Sequence, residues 1–276
     1  MTIVSRSHRF VFVHVPMCAG ALVKWAYQPH ARWCDLVLGH TPEGQQLEAV
    51  YQPLWGLHAF NTLMQLAQIL GPDLAAFDTV ALVSHPENRM AAFYQIAQQD
   101  VATLAQGAGL SLDDALSSLR AGEAPRAFLK RPPIQAYLAT DRFDDFVVKL
   151  LQLTSLESGG SLLSCHHHLQ GPHGDMVRHI VPYEQIDRLW DWLDERIGTP
   201  LERLAALPSS PAAAPAEEGT AAPSPAPASQ PLALSEATRE LLYRHLSHDY
   251  ILCGYGDAAA APLGAGQPSQ PRFSFF

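Results

Sequence analysis

Apolar residues in this chain gather into short blocks, and the blocks alternate with longer stretches of helical spacing. Residues 9–15 (RFVFVHV) are rich in β-branched and aromatic side chains, which predicts a strand buried on both faces, as in a parallel sheet. A small-residue loop, PMCAG, follows, and Gly20 to Tyr27 then predicts a helix. Asn61 to Leu70 has helical spacing and stops at Gly71-Pro72, a C-terminal signal. Thr79 to Val83 predicts a second buried strand, which passes through His85-Pro86 into a helix over NRMAAFYQIAQQ. Strand, loop and helix thus occur twice, and that alternation predicts an α/β fold with a central parallel sheet flanked by helices.

Further along, residues 111–119 and 142–153 read as amphipathic helices, with Asp144 and Asp145 as solvated acids on the second. Val177 to Val181 predicts a third strand and Tyr183 to Ile197 a helix. The character changes at residue 205, where seven prolines fall between Pro208 and Pro231 among Ala and Ser. That composition cannot bury a core, so 205–233 reads as a disordered linker. Ser235 is the expected N-cap of a last helix within 234–256 that packs back on the domain formed by 1–204. Residues 257–276 read as a disordered tail.

Composition narrows the function classes. Hydrophobic residues are 47% of the 276, enough for a sizeable core, and the net charge of -9 argues against nucleic acid as a partner. An anionic ligand would need a local site. The N-terminus shows no signal peptide, and no stretch reaches the ~18 apolar residues of a membrane span. Cys18, Cys34, Cys165 and Cys253 lack CxxC spacing, so the expectation is a cytoplasmic chain with reduced thiols.

Four segments in order carry a likeness to a known family: FVHVPMCAGALV, LHAFNTLMQLAQILGPDLAAFDTVALVSHPENRMAAFY, IVPYEQIDRLWDWLDERIG and SEATRELLYRHLSHDYILCGY. Together they resemble the sulfotransferases that use 3′-phosphoadenosine 5′-phosphosulfate (PAPS), closest to the bacterial and carbohydrate-type branch. The first is similar to the 5′-phosphosulfate loop F-I-H-I-P-K-T-A-G-T-S. The second is similar to H-A-T followed by R-x-P-x-x-R-x-x-S-x-Y, and the last ends in D-x-x-x-x-G-Y. The resemblance implies a P-loop NTPase-like sulfotransferase fold, PAPS as co-substrate, no metal, and a glycan or other hydroxyl acceptor. It also implies donor contacts from the loop Pro16, Met17, Cys18, Ala19, Gly20, Ala21 and Leu22, and from Ser84, Arg89 and Ala92. His58, at the H-A-T histidine, is the expected acceptor-side base.

The departures fall on the residues that touch phosphate. Met17 stands at the loop Lys, Cys18 at the Thr, and Ala21-Leu22 at the Thr-Ser pair; Ser84 replaces an Arg and Ala92 a Ser. Charge-assisted hydrogen bonds contribute roughly 1.5–3 kcal/mol each, so these losses amount to on the order of 6–10 kcal/mol of donor binding if they add. Cys18 reads as a small apolar filler, with a helix-terminal reactive thiol as the alternative. Lys24 and Arg89 are the two cations that could compensate, although Lys24 is expected to point to solvent and Arg89 to serve a structural pair. The expectation is a sulfotransferase-family protein that nominally transfers sulfuryl from PAPS, with impaired or absent activity. Its alternatives are a non-catalytic pseudoenzyme that binds a glycan or protein, and an enzyme with a changed donor. The run SCHHHLQGPHGDMVRHI has histidine density but not metal-site spacing, so it reads as a loop near the cleft.

Overall fold

The structure, a computed structural model, describes residues 2–39, 41–123, 125–156, 162–203 and 232–255. The expected tail lies outside the described residues, as does the linker apart from 232 and 233. The chain begins with a hairpin, β1 (Ile3–Ser5) and β2 (Phe10–Phe12), and continues through α1 (Gly20–Tyr27), β3 (Leu36–Val37), α2 (Pro42–Trp55) and α3 (Leu63–Leu70). β4 (Asp78–Val83) leads into the long α4 (Pro86–Ala108), then α5 (Leu112–Arg120), α6 (Arg126–Leu129), α7 (Pro132–Leu138), α8 (Phe143–Leu156) and α9 (Cys165–Leu169). β5 (His179–Pro182), α10 (Ile186–Ile197), α11 (Glu236–His245) and α12 (Ser247–Leu252) complete it.

The fold is mixed α/β, and the sheet is a correction to the all-parallel expectation. Its order is β3-β1-β2-β4-β5, parallel across β2, β4 and β5 but antiparallel where β1 meets β2 and β3. The hairpin arises because Arg9 takes a left-handed conformation (φ 57°) and Ser5, Ser7 and Tyr27 all donate to the buried Asp35 carboxylate, which ties the turn to the end of α1. That pairing adds two short strands to the parallel core, β1 beside β2 and β3 at the edge.

Side-chain alternation divides the core by face. Phe10, Phe12, Val80 and Leu82 point to one side and meet Leu22, Val23 and Ala26 of α1 with Trp190 and Leu193 of α10. Val11, Val13, Ala81 and Val83 point to the other and meet Leu63 and Leu66 of α3 with Cys165 and Leu169 of α9. A third cluster, wholly helical, joins Met90 and Phe93 of α4 to Phe146 and Leu150 of α8 and Leu242 of α11. The expected single C-terminal helix is broken at Leu246, where φ −116° and ψ 28° leave helical geometry. Asp144 is also not a merely solvated acid: it accepts from the Ser235 amide (2.8 Å), the Ser235 hydroxyl (2.7 Å) and the Thr238 hydroxyl (2.8 Å), which docks the start of α11 on α8.

Candidate functional site

In open α/β sheets ligands bind beyond the carboxyl ends of the parallel strands. Here that edge is built from residues 13–19 after β2, Ser84-His85 after β4 and Tyr183-Glu184 after β5. The loop after β2 turns sharply into α1. Met17 (φ 62°) and Ala19 (φ 53°) are left-handed, and Ala19 caps α1 with its carbonyl, which accepts from the Leu22 amide (2.9 Å), and without a side-chain hydrogen bond. Gly20 is required by close packing: a Cβ there would lie 2.3 Å from His14 Nδ1.

The loop's side chains, however, are built into the core. Cys18 is 1% exposed; its thiol donates to the Pro16 carbonyl (3.6 Å) and its sulfur is hydrogen-bonded by the Ser84 main chain. Burial pushes that thiol well above its usual value, as a filler and not a helix-terminal nucleophile would behave. Met17 is half-buried against the helical cluster, Ala19 packs against the α1 face, and Leu22 and Pro16 are buried. Ala21 and Ala92 are half-buried and bring only methyl groups, while Ser84 is buried at the end of β4.

Neither candidate cation faces an open loop. Lys24 is fully buried, and its Nζ has no hydrogen-bond partner. A Cβ built on Gly44 would fall 2.2 Å from that Nζ, 2.5 Å from the Gly39 carbonyl and 2.8 Å from the Val37 carbonyl, which places the ammonium beneath the start of α2. Burial pushes it down to about 8, against the pull of Glu48 and Glu43. The solvent-facing expectation for Lys24 is therefore corrected: α1 is enclosed on the side that carries it.

Arg89 is equally buried and anchors the loop from below. Its Nε donates to the Pro16 carbonyl (3.3 Å), and its Nη1 donates to the Leu163 carbonyl (2.6 Å), lies 3.1 Å from Cys165 Sγ and 3.4 Å from Asp249. Asp249 also accepts from the Cys165 amide (2.7 Å), the His166 amide (2.9 Å) and the Ser164 hydroxyl (3.1 Å). Burial pushes the Asp249 carboxyl up to about 6, while Arg89 and the two amides hold it ionised at neutral pH. Burial disfavours the Arg89 guanidinium, but the surrounding Cys165, Cys18 and Asp249 outweigh it and raise its pKa. The structural pairing expected of Arg89 is what the geometry holds, and its partner Asp249 opens the D-x-x-x-x-G-Y motif at the far end of the chain.

That motif also covers the strand ends. Tyr255 stacks edge-on against His85, with ring centroids 4.8 Å apart, and donates to Glu184 after β5. Tyr250 meets the other side of His85 at 5.4 Å. The C-terminal segment thus bridges the β4 and β5 loops. An open cleft of about 400 Å³, lined by Ser7, His8, Arg9, Trp192, Glu195 and Arg196, lies at the opposite end of β2 and cannot serve the loop.

His58 lies in the turn between α2 and α3, apart from Arg89 and Asp249. Its Nδ1 accepts from the Phe60 amide (3.1 Å), its own amide donates to Asn61, and burial lowers its pKa. The neutral ring therefore carries its proton on Nε2. Phe60 rests on His14 with centroids 5.2 Å apart, which links this turn to the loop. Beside it Trp55 (54% exposed) pairs with Tyr51 at 5.0 Å, and Leu54, Phe60 and Met64 are also exposed. Sequence reading passed over this aromatic face, because α2 carries an internal Pro53 and little apolar periodicity.

The histidine-rich run is not a loop throughout. Residues 165–169 are helix α9, capped by Ser164, with His168 buried and His166 beside His248. Among the described residues no group of three or more His, Cys, Asp or Glu is placed to hold a metal ion, and no helix is long and apolar enough to cross a membrane. No protein-family model, no curated protein and no solved structure matches this chain.

Proposed function

We propose that this chain is a sulfotransferase-like domain that has given up the PAPS-dependent reaction and works as a binding module. The observation that carries the reading is the fate of the two cations: Arg89 is spent on Pro16, Leu163, Cys165 and Asp249, and Lys24 is enclosed beneath α2. Transfer of a sulfuryl group needs positive charge where the leaving oxygen develops its own, and that is often the largest catalytic term. The cradle backbone persists because its left-handed residues let Met17, Cys18 and Ala19 reach three different packing clusters. His58 supports the same reading. Its Nδ1 is engaged and its Nε2 is protonated, so the neutral ring offers a donor and no free lone pair for base catalysis.

The surface around His58 is the binding face. Exposed Trp55 and Phe60, with half-buried Tyr51 behind Trp55, beside an imidazole N–H suit the apolar face and hydroxyls of a neutral sugar, whereas the net negative charge disfavours a sulfated one. Calorimetric titration with adenosine 3′,5′-bisphosphate at low salt tests the first half, with the fold verified by circular dichroism. No heat of binding is expected; micromolar affinity would overturn the reading. Tryptophan fluorescence titrated with neutral oligosaccharides tests the second half, with a response that Trp55→Ala removes.

A further inference from the structure

Three of the four cysteines meet in the core, although they come from residues 18, 165 and 253. All belong to one buried cluster, with exposures of 1%, 0% and 3%, and all are free thiols. The group is asymmetric. Cys18 and Cys253 are the thiol neighbours of Cys165, whose sulfur also faces Arg89 Nη1 at 3.1 Å. Arg89 Nη2 is buried beside them with no partner. One sulfur thus receives a guanidinium N–H and sits between two other thiols, which is the environment of a thiolate with protonated neighbours. The neighbouring Cys18 and Cys253, with Arg89, hold the Cys165 thiol well below its usual value, while burial and Cys165 push Cys18 and Cys253 up.

We propose that Cys165 and Cys253 are a peroxide-reactive dithiol site, in which Cys165 attacks and Cys253 closes the disulfide. The Cys165 thiolate attacks one oxygen of hydrogen peroxide, the O–O bond breaks, and the departing hydroxide takes a proton to leave as water. The Cys253 sulfur then displaces hydroxide from the resulting Cys165 sulfenic acid, and its own proton leaves with that hydroxide as a second water. Two thiols and one peroxide give one disulfide and two waters.

Cys253 is the assigned partner because it lies in the turn that ends α12, and α12 packs directly on α9. Cys18 is held to the Pro16 carbonyl and the Ser84 main chain inside the loop. The bond would staple the C-terminal segment, which carries Asp249 and Tyr255, onto the body of the domain. It would also withdraw the thiolate from Arg89.

The test uses the full chain, reduced, freed of reductant and treated with hydrogen peroxide at up to tenfold excess. Remaining thiols are blocked with N-ethylmaleimide in denaturant, and digested peptides are mapped by mass. A linked peptide of Cys165 and Cys253, lighter by two hydrogens, is expected, and Cys18→Ser should leave it unchanged. Cys253→Ser should stop at oxidised, unlinked Cys165, with Cys253→Ala in its place if the hydroxyl disturbs the fold. Complete N-ethylmaleimide labelling of Cys165 while the half-exposed Cys34 has oxidised would overturn the proposal. A link from Cys165 to Cys18 would overturn the assigned partner.

Discussion

Replacing Lys24 by Met should stabilise the protein at neutral pH and lose that advantage as the pH rises. The Lys24 pKa falls from 10.5 to about 8 on folding, because burial penalises the ammonium more than Glu48 and Glu43 support it. At 1.36 kcal/mol per pKa unit, holding the charge at pH 7 costs about 3 kcal/mol. The sign follows from proton binding: between pH 8 and 10.5 the unfolded chain holds the proton more tightly, so stability climbs with pH across that window and the cost is full below it. Methionine keeps most of the aliphatic stem and leaves a void the size of the lost ammonium, a penalty of about 1 kcal/mol. Lys24→Met should therefore gain about 2 kcal/mol at pH 7, with most of the gain gone by pH 10. Urea unfolding of both proteins at each pH measures this, and the tyrosines cancel in the difference. A variant less stable than the parent at pH 7, or a difference independent of pH, would refute the buried-ammonium account.

Other perturbations probe the same interior. Gly44→Ala should cost more than about 2 kcal/mol although alanine favours helix, because its Cβ would meet Nζ and two main-chain carbonyls; in the Lys24→Met background thermal denaturation should show only part of that cost relieved. Gly20→Ala should destabilise by about 1–3 kcal/mol, and adding His14→Ala should recover most of it, since the new methyl collides chiefly with the His14 ring. Asp249→Ala strips the acceptor from two amides, a hydroxyl and Arg89, so a loss of at least about 3 kcal/mol in denaturant titration is expected. A neutral effect would mean that Arg89 does not depend on it.

How much of this was legible depends on what each residue's surroundings add. The cores of β2 and β4 could be read because a strand buried on both faces must be apolar at every position. β1 and β3 could not: three and two residues are too short for alternation to show, and their pairing depends on the distant Asp35. α4 was legible after His85-Pro86, and α10 falls within the helix expected over Tyr183 to Ile197. α2 stayed hidden because Val50, Leu54 and Trp55 face outward while only Leu47 and Tyr51 pack inward. Lys24 is the sharpest case, for its helix is only eight residues long and periodicity cannot say that β3 and α2 fold over it.

Under the proposed sulfotransferase-like reading, the loop after β2 is a motif parted from its chemistry. A phosphate cradle is made of backbone, so its shape survives any side chain that tolerates a left-handed residue or packs well behind it. Selectivity for an anion rests on what surrounds the amides, and here those places went to a half-buried Met17, a buried Cys18 and an Arg89 turned to carbonyls, sulfur and Asp249. Supplying a charge alone would not make an anion site. Met17→Lys would put an ammonium against the helical cluster that Tyr255 also borders, while Arg89 would stay committed below. The substitution should therefore lower stability without creating affinity for adenosine 3′,5′-bisphosphate. Micromolar binding by Met17→Lys would show instead that the cradle is still open, and that one missing charge is all that separates this chain from its resemblance.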